Sequence, residues 1–274
     1  MDRREAILRE LNLYPLWKRR KFTVAVSGGQ APDAGDVQTG PPSSVDIRDA
    51  VREENNPVIK AEHEKHAKTR CEQAASVAPV SGVDGIGWPE LKQRVSACTA
   101  CKLRAGCTQT VFGVGDENAD WLFVGEGPGA DEDALGEPFV GQAGKLLDNM
   151  LLALKLKRSR NVYIANIVKC RPPGNRNPDA EEIAACLPYL QRQIELIKPK
   201  LIVALGKVAS NALLGRDATL ASLRGKPHDF HGIPLIVTYH PAYLLRSPSE
   251  KAKAWQDLCA AKKIMHESEQ PIQK

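Results

Sequence analysis

The feature that most constrains this chain is an alternation of short apolar runs with longer segments of helical periodicity. The apolar runs predict strands at 121–124, 162–168, 201–205 and 235–237. The periodic segments predict helices at 143–156, 179–197, 207–214 and 248–265. Short buried strands that alternate with helices are typical of a parallel sheet that is covered on both faces. We therefore predict an α/β fold, a three-layer αβα architecture with a short central parallel sheet.

The chain divides into three predicted segments. Residues 1–22 place apolar side chains near helical spacing ahead of a basic run, which predicts an amphipathic N-terminal helix that packs on the domain or binds a protein partner. Residues 23–87 are rich in Gly, Pro, Ser, Asp and Lys, and they contain too few apolar side chains to offset the entropy of ordering. We predict that they form a disordered linker, and that the folded domain occupies 88–268.

Composition narrows the class of protein. A chain of 274 residues with 42% hydrophobic content can bury one substantial core. No apolar run approaches the roughly 20 residues that span a bilayer, and the charged N-terminus lacks the apolar region of a secretory signal. We therefore expect a cytoplasmic protein. Its formal net charge of +5 is compatible with a nucleic-acid partner.

Seven cysteines need a use other than disulfides in a reducing compartment. Cys98 and Cys101 form a C-x2-C pair, and Cys170 and Cys186 follow on either side of a Pro-rich turn and the start of a helix. Two pairs of thiolates can hold zinc or an iron–sulfur cluster, and the wide second pair favours the cluster. Packing as ordinary small hydrophobic residues is the alternative. Cys107 is either a substitute ligand or a bystander.

Residues suited to binding a nucleobase follow the predicted strands. Glu126 follows the first strand, Asn166 lies near the end of the second and His240 follows the fourth, while Phe139 lies in a loop between Pro and Gly. Ligands of parallel sheets bind at the carboxyl ends of the strands. An amide can read the edge of a base, an aromatic ring can stack on it and a histidine can face developing negative charge. The combination fits a base that has been flipped out of a helix.

The motifs GEGPG, EPFVGQAGKLLD, NIVKCRPPGNR and HPAYLLR, together with four cysteines, resemble those of the family 4 (iron–sulfur) uracil-DNA glycosylases. The resemblance covers about residues 88–258 and implies a uracil-DNA glycosylase-like fold. It implies a monomeric, monofunctional hydrolase that flips uracil out of single- or double-stranded DNA, cleaves the N-glycosidic bond and leaves an abasic site for base excision repair. It also implies a structural 4Fe–4S cluster on Cys98, Cys101, Cys170 and Cys186.

The resemblance implies roles for the strand-end residues as well. Phe139 is expected to stack on uracil, Asn166 to read its O4 and N3–H, and His240 to hydrogen-bond its O2. Glu126 and Gly127 are expected to line the pocket wall beside the C1′ carbon and the attacking water. These five residues form the core of the predicted site.

The carboxylate that activates the water is not assigned by the resemblance. Some family members carry an acidic residue directly after GEGPG, where this chain has Ala130. Glu132 and Asp133 are the nearest acidic side chains in the sequence, so we take both as candidates for this catalytic role.

The stretch 243–246 resembles a wedge loop that enters the duplex where the base has left. Leu244 and Leu245 are expected to fill the vacated stack, because apolar side chains are the usual wedges between base steps. Arg246 is expected to contact the DNA. Basic side chains near the site predict phosphate contacts: Lys169, Arg171, Arg176 and Arg246.

Two other functions are open on the sequence alone. One is a non-catalytic iron–sulfur DNA-binding module attached to a replication or repair partner. The other is a zinc-binding nucleic-acid hydrolase. Neither explains why Phe139, Asn166 and His240 are placed at one edge of the predicted sheet. We expect the glycosylase, associated with the nucleoid when it is bound to DNA.

Overall fold

The structure, a computed structural model, describes residues 82–269. Within them the strands are β1 Val114–Gly115, β2 Trp121–Gly125, β3 Val162–Asn166, β4 Leu201–Leu205, β5 Pro227–Phe230 and β6 Ile233–Thr238. The α-helices are α1 Trp88–Ser96, α2 Ala130–Leu135, α3 Gln142–Ala153, α4 Ala180–Ile197, α5 Lys207–Leu214, α6 Leu220–Leu223, α7 Pro241–Arg246 and α8 Lys251–Glu269. Short 3-10 turns cover Lys102–Gly106, Pro173–Asn175 and Pro248–Glu250.

The strands form one mixed sheet in the order β1-β3-β2-β4-β6-β5. The four central strands are parallel, and they are the four that the sequence predicts. The edge strands β1 and β5 pair antiparallel with β3 and β6 and were not predicted. β1 has only two residues, and β5 begins at a proline and is mostly solvent-exposed, so neither has the apolar character of a buried strand.

The central strands are buried on both faces because their side chains alternate between two cores. Leu122 and Val124 of β2 point to a core shared with α1, α4, α5 and α6, whereas Trp121 and Phe123 point to a core shared with α3 and α8. An alternation with a period of two is what a pleated strand imposes. The three-layer αβα prediction is therefore confirmed.

The folded part begins before the predicted boundary at residue 88. Val83 and Ile86 are buried in the same core as α1, and the Arg192 side chain donates a hydrogen bond to the Ile86 carbonyl at 2.8 Å. Two apolar residues among glycines show no periodicity, so composition alone assigned them to the linker. The predicted N-terminal helix and residues 23–81 of the predicted linker lie outside the described residues. No helix among the described residues is apolar and long enough to span a membrane.

Two segments for which the sequence predicted no helix are short helices. The acidic run at 131–133 lies in α2, and the wedge segment lies in α7, whose N-cap is His240. Helices of six residues are too short to show a clear apolar period, which explains the error. Their helical geometry matters because adjacent side chains point in different directions.

Candidate active site

A pocket of about 380 Å³ opens at the carboxyl ends of the parallel strands. The sequence placed Glu126, Phe139, Asn166 and His240 at this edge, and all four line the pocket together with Gly127. The chain leaves β2 toward β3 and leaves β4 toward β6, on opposite sides, which opens a crevice of the kind where α/β proteins bind ligands. The predicted convergence of these residues is thus present in the fold.

Asn166 is the last residue of β3 and is 2% exposed. Its side-chain oxygen has no hydrogen-bond partner among residues 82–269, although buried polar atoms are nearly always paired. Gly125 makes this placement possible, because a β-carbon there would overlap that oxygen and lie within 2.7 Å of the Phe139 ring. The pocket wall therefore offers a buried acceptor that needs a donor from a ligand.

Phe139 is held in an uncommon backbone conformation. Its φ of 55° lies in the left-handed region, which is rarely adopted by a bulky residue. Arg158 donates hydrogen bonds of 2.8 Å to the carbonyls of both Pro138 and Phe139, and its guanidinium also pairs with Asp148 at 2.9 Å. Gly144 of α3 leaves room for the Phe139 carbonyl, which a β-carbon would overlap. The contacts of its backbone with Arg158 and Gly144 therefore fix the orientation of the Phe139 ring.

His240 is prepared to act as a neutral hydrogen-bond donor. The backbone N–H of Ala242 donates to its Nδ1 at 3.2 Å, so the single proton of the neutral imidazole lies on Nε2. Burial, and secondarily the positive charge of Arg246, lowers the pKa of His240 to about 4. The ring centroid lies 5.5 Å from that of Phe139, at an interplanar angle of 30°. His240 is thus uncharged at neutral pH.

Glu126 follows β2 directly and reaches the pocket. Burial raises the pKa of its carboxyl group above the ordinary value, and in the described part of the chain this group forms neither a hydrogen bond nor an ion pair. Gly127 packs closely on the segment after β3, since a β-carbon there would lie 2.8 Å from the Val168 side chain. Glu126 is an unpartnered carboxyl group in a pocket, as expected of a functional acid or base.

The other two candidate carboxylates have structural partners. Glu132 lines the pocket, but its oxygens accept hydrogen bonds from the backbone N–H groups of Gly129, Val140 and Gly141 at 2.9 to 3.1 Å. Asp133 lies outside the pocket lining, is buried and accepts from the N–H and hydroxyl of Thr108. The prediction that Asp133 is at the site is wrong, because α2 directs its side chain away from the pocket.

The structure places the two leucines of the predicted wedge in different surroundings. Leu244 is 1% exposed and belongs to the core beneath α7, so the prediction that it inserts into DNA is wrong. Leu245 is 43% exposed, and Arg246 lines the pocket. Consecutive residues of a helix lie on different faces, which a loop assignment could not anticipate.

Of the basic residues predicted to contact phosphates, Arg171 and Arg176 are partly exposed, whereas Lys169 is buried. Arg176 lines the pocket and pairs with Glu182 at 2.7 Å, and Arg171 donates to the Asn175 side chain at 2.7 Å. Lys169 is fully buried, and its ammonium donates to the Asn166 carbonyl at 2.9 Å and to the Gln193 side chain at 2.7 Å. Lys169 cannot reach a DNA phosphate, and it supports the backbone at Asn166.

Four cysteines line a second, largely apolar pocket beside α4, together with Leu103 and Tyr189: Cys98, Cys101, Cys170 and Cys186. The backbone N–H groups of Ala100 and Lys169 donate to the sulfurs of Cys98 and Cys186 at 3.5 and 3.2 Å. Within residues 82–269 no three His, Cys, Asp or Glu side chains are grouped so as to hold one metal ion.

Individually these thiols have the chemistry of metal ligands, although no three of them are grouped around one point among the described residues. Burial raises the pKa of Cys186 to about 11, so a metal that binds its sulfur must displace the proton. N–H groups directed at sulfur are among the contacts that tune iron–sulfur centres. Cys107 lies beside Cys170 but is not part of the pocket lining.

Three further side chains contribute to the site in ways that the sequence analysis did not predict. Arg158 lies in a loop after α3, outside the four sequence motifs, and only its contacts with the Phe139 loop indicate its importance. Glu132 was noticed for its charge, whereas its role is to join the loop after β2 to the loop that carries Phe139. Tyr243 also lines the pocket. Glu132 and Tyr243 both had a sequence signal, namely an acidic side chain near GEGPG and a position in the HPAYLLR motif, whereas Arg158 had none.

Comparison with known proteins agrees with this geometry. Residues 112–259 match the family model of the Uracil DNA glycosylase superfamily. The type-4 uracil-DNA glycosylase of Thermotoga maritima is 46% identical over 165 residues, which cover 60% of this chain and 85% of the relative. The type-4 enzymes of Archaeoglobus fulgidus and Pyrobaculum aerophilum are each 42% identical, over 58% and 62% of this chain and 83% and 90% of their own lengths. This chain belongs to the type-4 uracil-DNA glycosylases.

As a type-4 uracil-DNA glycosylase, the chain carries its whole pocket inside the region that matches the superfamily. The matched residues 112–259 contain the four parallel strands, Glu126, Phe139, Asn166 and His240. Cys98 and Cys101 precede that region, although they share a pocket with Cys170 and Cys186. The family predicted from the sequence motifs is confirmed.

Proposed function

We propose that this protein rotates uracil out of DNA into the pocket at the ends of β2, β3 and β6 and hydrolyses its N-glycosidic bond. The product is an abasic site, the starting point of base excision repair. The observation that carries the proposal is the buried, unpaired side-chain oxygen of Asn166, which lies in one pocket with the Phe139 ring and the neutral His240.

The pocket can distinguish uracil from cytosine. The Asn166 oxygen can accept from N3–H of uracil while its amide N–H donates to O4. Cytosine presents an acceptor at N3 and an amino donor in place of O4, so the same amide is mismatched at both positions. A site built to hydrogen-bond one partner can reject an analogue by about 10⁴-fold. Phe139, held by Arg158, supplies the surface on which the base stacks.

His240 stabilises the leaving group. When the bond between C1′ and N1 of uracil breaks, its electron pair stays on the base and negative charge develops at O2. The Nε2–H of neutral His240 donates to that oxygen, and because its pKa is near 4 it remains a hydrogen-bond donor rather than a proton source. A preorganised donor of this kind is typically worth about 3 kcal/mol of transition-state stabilisation.

Glu126 acts on the sugar side of the bond. Ionised, it stabilises the oxocarbenium-like sugar and accepts a proton from the water whose oxygen bonds to C1′. The uracil anion takes up a proton from solvent as it leaves and Glu126 returns its proton to solvent, so the reaction consumes one water. The Glu126 carboxyl group has no hydrogen-bond or ion-pair partner among the described residues, which supports this assignment over Glu132. The Glu132 oxygens already accept three backbone hydrogen bonds.

The surface around the pocket fits DNA. Leu245 is an exposed apolar side chain beside the pocket and can fill the space that the flipped base leaves. Arg246 and Arg176 line the pocket and can contact phosphates. Extruding a base costs a few kcal/mol, and such contacts offset that cost.

A 4Fe–4S cluster held by Cys98, Cys101, Cys170 and Cys186 completes the proposal. The four thiols share one pocket and two of them receive backbone N–H groups, which supports a cluster over ordinary packing. When bound, the cluster supplies cross-linking of the chain rather than chemistry at the uracil pocket. A non-catalytic DNA-binding module is not favoured, because it would not require the unpaired Asn166 oxygen.

The test is excision of the base under single-turnover conditions, from matched single-stranded oligonucleotides that hold uracil or cytosine at one position. We expect the wild-type protein to release uracil only, with no added cofactor. Asn166→Ala should lower the rate at least about 100-fold, and Asn166→Asp should lose most activity because a carboxylate cannot donate to O4. The exposed Asn118, at the opposite end of β2, provides the control Asn118→Ala. A wild-type rate in Asn166→Ala would overturn the proposed pocket.

A further inference from the structure

The mouth of the pocket carries a layered aromatic stack that base recognition and bond cleavage do not use. Tyr243 of α7 lines the pocket and is 39% exposed. Its ring stacks on that of Tyr239, with centroids 5.1 Å apart and an interplanar angle of 19°. Beneath Tyr239 lies the guanidinium of Arg224, 4.1 Å from the ring centroid. Tyr243 is the exposed outer layer of this stack.

The inner layers of the stack are firmly anchored. Arg224 forms a buried ion pair with Asp257 of α8 at 2.7 Å and donates to the Lys253 carbonyl at 2.8 Å. A cation over an aromatic face and a stacked aromatic pair each add stabilisation beyond the area that they bury. Tyr243 therefore presents a ring that is already ordered before any ligand arrives, which reduces the entropic cost of binding to it.

We propose that Tyr243 is a stacking platform for the nucleobase adjacent to the flipped uracil in the same strand. The inference rests on the proposed function, because it requires uracil in the pocket. One face of the ring is occupied by Tyr239, and among residues 82–269 no second ring stacks on Tyr243. The face of a base stacks on an aromatic ring whatever the sequence, so the ligand is a nucleobase of any type.

The location of Tyr243 indicates that it would contact the neighbouring base rather than uracil itself. Phe139, which is 5% exposed, lies inside the pocket against His240, whereas Tyr243 lies at the mouth. The Tyr243 N–H donates to the His240 carbonyl at 2.9 Å, which ties the platform to the residue that faces the flipped base. Arg246, one helical turn along, can neutralise the phosphate that joins the two nucleotides.

The experiment measures binding rather than catalysis. Single-stranded oligonucleotides carry one non-hydrolysable fluorinated deoxyuridine, and an abasic spacer replaces its 5′ neighbour, its 3′ neighbour or a base well outside the site. Dissociation constants are measured for wild type, Tyr243→Phe and Tyr243→Ala. For wild type and Tyr243→Phe, we expect a spacer at one adjacent position to weaken binding about tenfold, as loss of one stacked base should. The distant spacer should have no effect.

Tyr243→Ala should bind the intact oligonucleotide about tenfold more weakly and lose its sensitivity to the adjacent spacer. Leu245→Ala should keep that sensitivity, which separates stacking from wedging. An adjacent-spacer penalty that is equal in wild type and Tyr243→Ala, or absent from both, overturns the inference. Uracil release from the hydrolysable oligonucleotide is measured in parallel. If wild type releases no uracil, the proposed function fails; if it does, only the platform is in question.

Discussion

Two titratable residues in the pocket are both pushed toward their neutral forms, with opposite consequences. Burial lowers the pKa of His240 to about 4 and raises the pKa of Glu126. Burial disfavours the charged form of either group. In the proposed mechanism the neutral form of His240 is the functional one. The same mechanism requires the ionised form of Glu126, so this carboxylate would be retained at a cost in stability.

Glu126→Gln should therefore lower uracil excision at least about 100-fold, the usual contribution of a general base, and raise the melting temperature at pH 7. The pKa of Glu126 is higher in the folded than in the unfolded protein. Its stabilising contribution is thus present below the unfolded pKa and is lost as pH rises through the folded value. The melting temperatures of wild type and variant should diverge above about pH 4.5. Calorimetry from pH 4 to 8 measures this.

The exposed Glu181 on α4 provides the matched control, since Glu181→Gln removes the same charge outside the pocket. It should leave the rate of excision unchanged. If Glu126→Gln keeps the wild-type rate, Glu126 takes no part in the reaction. If the two proteins have equal melting temperatures at every pH, the Glu126 carboxyl group is solvated.

The strand-end residues could be predicted from sequence because a parallel sheet brings its carboxyl ends together whatever the details of packing. That rule alone placed Asn166 and His240 in one pocket. Asp133 and Leu244 were misplaced because the direction of a side chain depends on the helix that carries it, and α2 and α7 are only one to two turns long. Arg158 could not be predicted, because its partners are backbone carbonyls about 20 residues away.

At the scale of elements, α7 divides its two leucines between the core and the surface. Leu244→Ala should lower the free energy of unfolding by about 2–5 kcal/mol, because it leaves a cavity between α7 and its neighbours. Leu245→Ala should change that free energy by less than about 1 kcal/mol but slow excision from duplex more than from single-stranded DNA. Denaturant titration and single-turnover excision distinguish them. A stability loss in Leu245→Ala equal to that in Leu244→Ala would contradict the assignment.

The loop that carries Phe139 depends on Arg158. Arg158→Ala removes hydrogen bonds to two carbonyls, so the left-handed backbone at Phe139 should relax and uracil excision should fall about tenfold or more. Added guanidinium should restore part of the lost rate, whereas it should not help Phe139→Ala. The exposed Arg160, two residues along, gives the control Arg160→Ala. Full activity in Arg158→Ala would show that Glu132 and Gly144 suffice to hold the loop.

Elements were predictable to the extent that they are long and buried. All four parallel strands and α4 and α5 lie where their apolar patterns place them, with ends within a few residues. The edge strands lack that pattern, because β5 is mostly exposed and β1 is two residues long. Val83 and Ile86 pack on the core although composition assigns them to a linker. Whether an isolated apolar residue is buried depends on the tertiary surface it packs against, which cannot be read from the local sequence.

For the whole molecule, the four-cysteine pocket joins parts of the chain that are distant in sequence. Cys98 and Cys101 precede the sheet, Cys170 follows β3 and Cys186 lies in α4. A centre bound by all four would close the loop that contains β1, β2, α2, α3 and β3. Closing a loop of this length with a covalent cross-link is worth roughly 4 kcal/mol by chain entropy. The proposed cluster would thus stabilise the strands β2 and β3, whose ends carry the pocket residues.

The purified protein should accordingly be brown and contain about four irons and four sulfides per chain. Cys186→Ala should lose the colour and most of the iron and lower the melting temperature, because three thiols should not retain the cluster that cross-links the chain. Cys259→Ala alters an exposed cysteine of α8, outside the four-cysteine pocket, and should keep the colour and the iron. Iron and sulfide analysis, visible absorbance and thermal unfolding are independent of glycosylase activity. Stoichiometric zinc in both aerobic and anaerobic preparations would instead assign the four thiols to a different metal.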